Sequence, residues 1–495
     1  MDASRIPVIV GVGQVNDRAE DEMALDSLGL MLAALTEADR DAGGGWMRQV
    51  QSLAVVDQLS FPGLIDLPMI IAAYFSATPK HCTKTPYPSG ESPVRLLNEA
   101  AERVRTGEIE VAAVVGGEAL RTAARRAKHA GKTEGRDAVR DSAAKVAKAV
   151  RSRHGLVAPT DIYPLYENAL RASLGQTLAE GQRESAEIWS AFSRLAADNP
   201  HAWLRVALTP EEIAAPSPAN RPIAFPYTKL MVANQSVNQG AGFIVASLAK
   251  ARAMGVAEDR LVYVGHGAGA SEPRDVLTRE GYDRSIALET TLQMALEFNR
   301  LQVSDLDFAE LYSCFPCVPK LARRAIGWPA EMPMSVVGGL TFGGGPVGNY
   351  MSHAVAAMTE FLRREGTRGL LFGNGGFANT NCAVVLSREA GDGADEARSS
   401  DVQTEADAQR GEAPKFAEDY SGPGVIETYT VFYDREGAPR HGVVVGLTDD
   451  RRRFLAQVSG DDAEMIAFLT DGAREPVGTR GEARVRDDVV FWTPE

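Results

Sequence analysis

Cys314-Phe-Pro-Cys317 follows a β-rich run, "DFAELYS", and opens a helical stretch, "VPKLARRAIG". Pro316 suits a first helical turn, and a thiolate at a helix N-terminus is stabilised by unpaired N–H groups. Such a pair has the types and spacing for a redox dithiol or a thiol nucleophile; two small core side chains are the alternative. No second cysteine pair lies near, so the spacing supplies no zinc site and no metal is expected. Two residues before Cys314 stands Tyr312. Its phenol can donate to an enolate oxygen or take a hydroxyl proton; the alternative is a buried ring with a hydrogen-bonded hydroxyl.

A second group of candidates surrounds "GGLTFGGGPVGNYMSH", Gly338 to His353, whose glycines run into a helix expected to begin near Asn349. Glycine allows backbone N–H groups, at Gly344 and Gly345 for example, to approach a ligand carbonyl, and the helix adds its positive end. Close packing of helices is the other use of such a run. His353, inside that helix, is either a packed or a catalytic imidazole. Ser89 and Gly90 in "YPSGESP" precede another helix, which Ser89 is also suited to cap. Ser236 in "NQSVNQGAG", His266 in "GHGAGASEP" and Asn374 in "GNGG" complete the polar candidates in Gly-rich turns.

The elements that must position these groups alternate between two periods. "IPVIVGVGQ", "QSLAVVDQL", "EVAAVVGGEAL", "RLVYVGHGAG", "DFAELYS" and "RGLLFGNGG" read as strands ending in turn-forming residues. Between them lie amphipathic helices such as "SPVRLLNEAAERVR". Ser89–Ala119 and Gly345–Ala378 share one order: turn, helix, Gly, buried strand, Gly-Gly. This predicts two duplicated β/α halves facing each other across a central helix pair. Residues 1–120 and 227–250 make the N-terminal half, 251–388 the C-terminal half, and 121–226 an insertion over one face. Glu389 to Asp419 is nearly empty of large apolar side chains and is expected to be a flexible linker. Residues 420–495 carry short β-rich runs bounded by Gly, Asp and Pro, enough for a separate all-β, OB-like barrel.

Composition narrows the functions. The 495 residues are 44% hydrophobic and 24% charged, with a formal net charge of -14. Nucleic-acid grooves and anionic membrane surfaces need clustered Lys and Arg, so neither is an expected partner. No apolar run approaches ~18 residues, and the start has no signal-peptide pattern. The 4 cysteines are too scattered for a disulfide framework, and a reducing cytoplasm is expected.

Three blocks in order carry a resemblance to the thiolase superfamily. "NQSVNQGAGFIVAS" is similar to its Asn-x-Ser-x-x-Asn-Asp-Gly-Ala block. "AELYSCFP" stands where thiolases carry Asn-Glu-Ala-Phe, or His-Asp-Cys-Phe in the sterol-carrier branch. "GGLTFGGGP" stands in place of Gly-Gly-x-x-x-x-Gly-His-Pro. The resemblance spans about residues 6 to 388 and is nearest to thiolase-like proteins of type 1 with an additional C-terminal domain, near the sterol-carrier-protein branch. It implies a duplicated thiolase fold layered α-β-α-β-α, a CoA or acyl-CoA ligand with no covalently held cofactor, and a monomer or homodimer. It also implies acetyl-CoA acetyltransferase chemistry, in which one cysteine takes the acyl group, a second moves a proton, and His or Asn organises oxyanion holes.

Position by position, those groups are replaced. Aligning Ser89-Gly90 with the Ser-Gly after the nucleophile puts Tyr87 in the cysteine slot; a phenol with pKa near ~10 is a poor acyl acceptor. Cys82 lies five residues earlier, up to ~16 Å along extended chain. Gly345 occupies the histidine slot, Tyr312 the Asn or His slot, and Gly373 the second-cysteine slot. Losing one acid–base group costs about 10²–10⁴ in rate. The expectation is therefore a protein that binds CoA or acyl-CoA, with Tyr87, Ser89, Gly90, Ser236, His266, Gly344, Gly345 and Asn374 as contacts and standard thiolase catalysis lost. Tyr312, Cys314 and His353 are the candidates for any remaining chemistry. Two alternatives stand beside it. Thiolase-like aldolases that work with an OB-fold partner suggest carbon–carbon cleavage of a β-hydroxyacyl-CoA; a non-catalytic, partner-binding protein is the other.

Overall fold

The computed structural model describes residues 1–21, 23–130, 138–145 and 148–495; the rest of the insertion lies outside them. The body is built on β1 (Pro7–Asn16), β2 (Ser52–Val55), β3 (His81–Lys84) and β4 (Val111–Glu118), then, after β5 (Pro222–Ala224) and β6 (Tyr227–Thr228), on β7 (Gln239–Ser247), β8 (Val262–Ser271), β9 (Phe308–Leu311), β10 (Arg368–Gly375) and β11 (Thr380–Ser387). Its sheet runs β3-β2-β4-β7-β1-β8-β11-β10-β9. β1 meets β8 at the centre through Val8–Tyr263 and Ile9–Val262.

The duplication is visible in the pairing. β2–β4 is parallel, β4–β7 and β7–β1 antiparallel. In the second half β9–β10 is parallel, β10–β11 and β11–β8 antiparallel. The order and directions are the same. Helix Ser92–Arg105 leads into β4 as helix Tyr350–Arg364 leads into β10. These two helices pack on each other and on both half-sheets, with helix Ser27–Asp41 outside the first and Ile286–Phe298 outside the second. That is the α-β-α-β-α layering. The central pair is amphipathic and buries its apolar side chains between the two sheets, with Val94, Leu97, Val104, Ala354, Val355 and Met358 fully buried.

The C-terminal strands β12 (Gly422–Tyr433), β13 (Pro439–Thr448), β14 (Arg453–Ser459), β15 (Arg480–Arg486) and β16 (Val489–Pro494) close as β12-β13-β14-β16-β15-β12, with helix Ala463–Thr470 between β14 and β15. Closure removes exposed sheet edges. Two expectations change here. β5 and β6 extend this sheet through Ala224–Phe432, so Tyr227 and Thr228 belong with the barrel rather than with the N-terminal half. The barrel also shares contacts with the insertion: Thr428 Oγ1 donates to Leu165 O at 2.6 Å and Asn168 Nδ2 to Tyr429 O at 2.9 Å.

Residues 389–419, expected as a flexible linker, are instead fastened along the second half. Gly269 donates to Ser400 O at 2.7 Å, and Val402 donates back to Gly269 O at 3.0 Å. Gln403 exchanges hydrogen bonds with the backbone of Ser271 at 2.8 and 2.9 Å. Helix Gln403–Gln409 follows, and Arg410 pairs with the buried Glu272 at 3.0 Å. Polar and backbone bonds hold this segment together with a few buried apolar side chains, Val402 and Ala406 among them. Among the described residues no helix is long and apolar enough to cross a membrane.

Candidate functional site

The candidate groups meet where the N-terminus of the first central helix touches the end of β10. A Cβ at Gly90 would collide with Tyr312 Oη and with the carbonyl of Asn374, so only glycine lets the Tyr312 hydroxyl lie against this turn. Tyr312 is 5% exposed, and its hydroxyl makes no hydrogen bond among the described residues. Burial raises its pKa well above the usual phenol value, with the Cys314 thiol and Glu91 adding in the same direction. At neutral pH it is therefore a proton donor, not a base.

Glu91 stands on the other side of the same backbone. Ser89 Oγ donates to its Oε2, and Thr380 Oγ1 donates to the same oxygen at 2.9 Å. Oε1 receives no hydrogen bond among the described residues, and Glu91 is 6% exposed. Ser89 therefore does not cap the helix through its side chain, as one sequence reading had it; its hydroxyl orients a carboxylate. Asn374, fully buried, donates through Nδ2 to Asn381 Oδ1 at 2.9 Å and accepts the Tyr163 hydroxyl at 3.3 Å.

Cys314 faces Tyr163, whose ring stacks on Phe315 at 4.4 Å. Burial pushes the Cys314 thiol up to about 12, despite the Tyr163 hydroxyl, and also raises Cys317 well above the usual thiol value. A thiolate stabilised by the helix start is not formed: Cys317 is buried under Tyr163 O at 3.7 Å, and the two cysteines are not joined. Cys382, beside Asn98 Nδ2 at 3.2 Å, is also pushed up to about 12 by burial. Cys82 lies on β3 opposite Leu53, and burial raises its pKa too.

Several predicted contacts lie elsewhere. Tyr87 is 51% exposed. Ser236 is exposed, its N–H turned to Asn234 Oδ1 at 3.2 Å. His353 is buried with Nδ1 against Gln14 Oε1 at 2.9 Å, and burial lowers its pKa to about 3. His266 is a strand residue of β8 covered by Gly393 O at 3.1 Å, with its pKa lowered to about 4 by burial and by Arg105.

The glycine loop is closed from within. Ser335 Oγ accepts the N–H of Gly338 at 2.8 Å and of Gly339 at 3.2 Å, and Asn234 O accepts that of Gly345 at 2.8 Å. Gly338, at φ +105°, has no room for a Cβ against Ala196. Gly344 abuts the Gln239 side chain. The expected cradle at Gly345 is thus filled by the chain's own acceptors, because the insertion helix Leu178–Asp198 and residues 203–204 pack over it.

Sequence reasoning missed Glu91, Thr380 and Tyr163. Glu91 is two residues from Ser89 and reads as an ordinary first-turn acid. It also missed Glu310, next to Leu311. Its carboxylate accepts Tyr350 Oη, Ser335 Oγ and the Val336 N–H, each at 2.8 Å, and burial raises it to about 7. It ties the glycine loop to β9.

Residues 401–489 match the family described as the thiolase-like protein type 1 additional C-terminal domain. A monomeric SCP2-thiolase like protein type 1 from Mycobacterium smegmatis aligns over 100% of both chains at 29% identity and a TM-score of 0.83. The Ltp2-ChsH2(DUF35) aldolase aligns with 78% of this chain and 98% of its own at 18% identity and TM-score 0.61. Human mitochondrial 3-ketoacyl-CoA thiolase in complex with CoA aligns with 79% of this chain and 100% of its own at 14% identity and TM-score 0.60. These last two likenesses are of fold. No curated protein matches. The match over residues 401–489 identifies the additional C-terminal domain of thiolase-like protein type 1, and the whole chain, duplicated body and closed barrel together, is similar to a protein of that type.

Proposed function

We propose that this protein binds a CoA thioester at the junction of the first central helix and β10 and does not thiolyse it. One observation carries the second half of that statement. The position of an attacking thiol holds the exposed Tyr87, while Cys314, the cysteine nearest Tyr312 in sequence, is buried and pushed up to about 12. At pH 7 a thiol with that pKa is ionised in only about one molecule in 10⁵. The CoA-bound human thiolase supports the ligand class.

Calorimetry with CoA and acetyl-CoA, beside a thiolysis assay on acetoacetyl-CoA, tests the reading. Heat with saturation and no thiolysis is expected; absence of heat at millimolar ligand removes the binding claim, and turnover removes the other. The oligomeric state accompanying this reading is the monomer, as the 29% identical relative is described, and light scattering checks it.

A second reading, cleavage of a β-hydroxyacyl-CoA, is favoured by the Tyr312 hydroxyl at Gly90 and is in keeping with the aldolase neighbour. Its enolate product needs a donor on the thioester oxygen, which a protonated Tyr312 supplies.

A further inference from the structure

The barrel has a cleft of its own. β14 and β16 run parallel but are bridged at one pair, Gln457–Phe491. Past that pair the seam opens, and a space of about 130 Å³ lies between the strand ends and the start of helix Ala463–Thr470. Val458 and Met465, both buried, give it an apolar wall, and the half-buried Phe491 adds a ring. Trp492 is 2% exposed and lines the same space, yet its Nε1–H has no acceptor among the described residues. A buried donor left unanswered costs about 1–3 kcal/mol. Arg484 and Arg486, two residues apart on β15 and therefore on one face, are exposed and also line the cleft. Arg484 reaches Glu482 at 2.5 Å, whereas Arg486 pairs with no described carboxylate. Asp462, the acid in the lining, is already engaged: its Oδ1 accepts the Met465 N–H at 3.1 Å as the helix cap.

We infer that this cleft binds a small organic carboxylate, held by the arginines at its rim and by the Trp492 Nε1–H, with its apolar part against Val458, Met465 and Phe491. Donors without an acceptor and cations without an anion select negative charge, and an indole N–H can only donate. The apolar wall selects a carbon body over a bare inorganic anion. Size limits that body: an apolar cavity of about 150 Å³ takes one benzene ring, so the cleft admits a single ring or a short alkyl chain and not a long acyl chain. A space this small is spanned by one such molecule, so the rim and the wall meet the same ligand. Packing for stability alone would have filled the seam with apolar side chains and paired the indole. The inference is independent of the CoA reading, which concerns the body of the protein.

The test is titration of the full chain, labelled with nitrogen-15, with sodium benzoate, read at the indole N–H resonances of its 5 tryptophans. Trp492 is identified as the resonance lost in Trp492→Phe. A saturable shift of that resonance at millimolar benzoate is expected, with the other four unmoved. Replacing Arg484 and Arg486 together by Ala should weaken binding by about 10-fold or more, the worth of a charge-assisted hydrogen bond. Both arginines are exposed, and the four remaining indoles report whether that variant is folded; Arg486→Lys, which keeps the charge, should retain most of the affinity. Benzyl alcohol, of similar shape but neutral, and sulfate, charged but without a carbon body, should each bind about 10-fold more weakly than benzoate or worse. No saturable shift at Trp492, or a shift confined to other indoles, overturns the site. Benzyl alcohol binding as well as benzoate overturns the selection for an anion, sulfate binding as well overturns the apolar part, and undiminished binding in the double variant overturns the role of the arginines.

Discussion

Lys320 Nζ lies 2.5 Å from Glu167 Oε1 in the interior, where a helix of the C-terminal half meets the insertion. The ammonium also donates to Ser185 Oγ at 2.7 Å and Gly181 O at 3.1 Å, and Tyr227 donates to Glu167 Oε2 at 2.8 Å. Every charge is thus answered, which is the condition for keeping an ion pair out of water. Lys320→Met strands the carboxylate and should cost about 3–5 kcal/mol. Adding Glu167→Gln should recover most of that loss in urea unfolding. A double variant as unstable as the single one would mean that the pair's charges are not what the network answers.

Much of this architecture is legible in the sequence, because the halves repeat a helix, a buried strand and paired glycines, and periodicity reports burial. The misread parts are those that burial does not govern. Residues 389–419 have very few large apolar side chains, yet Gln403 and Arg410 hold them through polar bonds that leave no periodic trace. β5 and β6 are too short, at 3 and 2 residues, to show alternation. Glu91 was hidden because in the sequence it reads as an ordinary acid at a helix start, where the structure has it as the residue just before Ser92. Its role appears only when Thr380, 289 residues away, is brought to it.

Acid should act on His353 and Glu310 in opposite senses. His353 titrates near ~6.5 when unfolded but at about 3 in the native protein, because burial disfavours the cation. Between those values the unfolded chain holds the extra proton, so stability falls as pH drops, by about 1.4 kcal/mol per pH unit for this group. Glu310 sits at about 7 when folded, above the usual carboxylate range, so the native state holds the extra proton and its contribution grows as pH falls through that window. Urea midpoints from pH 7 to 4.5 should therefore fall less steeply for His353→Gln than for the unaltered chain, and more steeply for Glu310→Gln. Parallel profiles would contradict both assignments.

Thiol reactivity should follow burial. Cys314, Cys317 and Cys382 are buried and Cys82 is partly so. Burial has raised the pKa of every one of them. Ellman's reagent at pH 8 should find at most one slowly reacting thiol in the native protein and all four after denaturation. Incubation with acetyl-CoA should leave no acyl group on the chain by intact-mass measurement. A stable +acetyl species mapped to Cys314 would restore a covalent mechanism.

Arg453 ties the barrel to the body. Arg453 is fully buried, and its guanidinium donates to Leu277 O at 2.9 Å and Arg279 O at 2.7 Å from Nη1, and to Glu427 from Nε and Nη2 at 2.7 and 2.6 Å. It also lies 5.0 Å from the centre of the Tyr282 ring. Arg453→Met keeps volume but leaves Glu427 and two carbonyls unanswered, a loss of about 3–5 kcal/mol by the reasoning for buried pairs. Because Lys415 O accepts the Arg453 N–H at 2.8 Å, loosening this residue should also free the neighbouring strap. Brief trypsin treatment should leave the unaltered chain intact across residues 389–419 and should cut Arg453→Met there, at Arg398, Arg410 or Lys415. Equal cutting of both would show that the strap is held independently of the barrel.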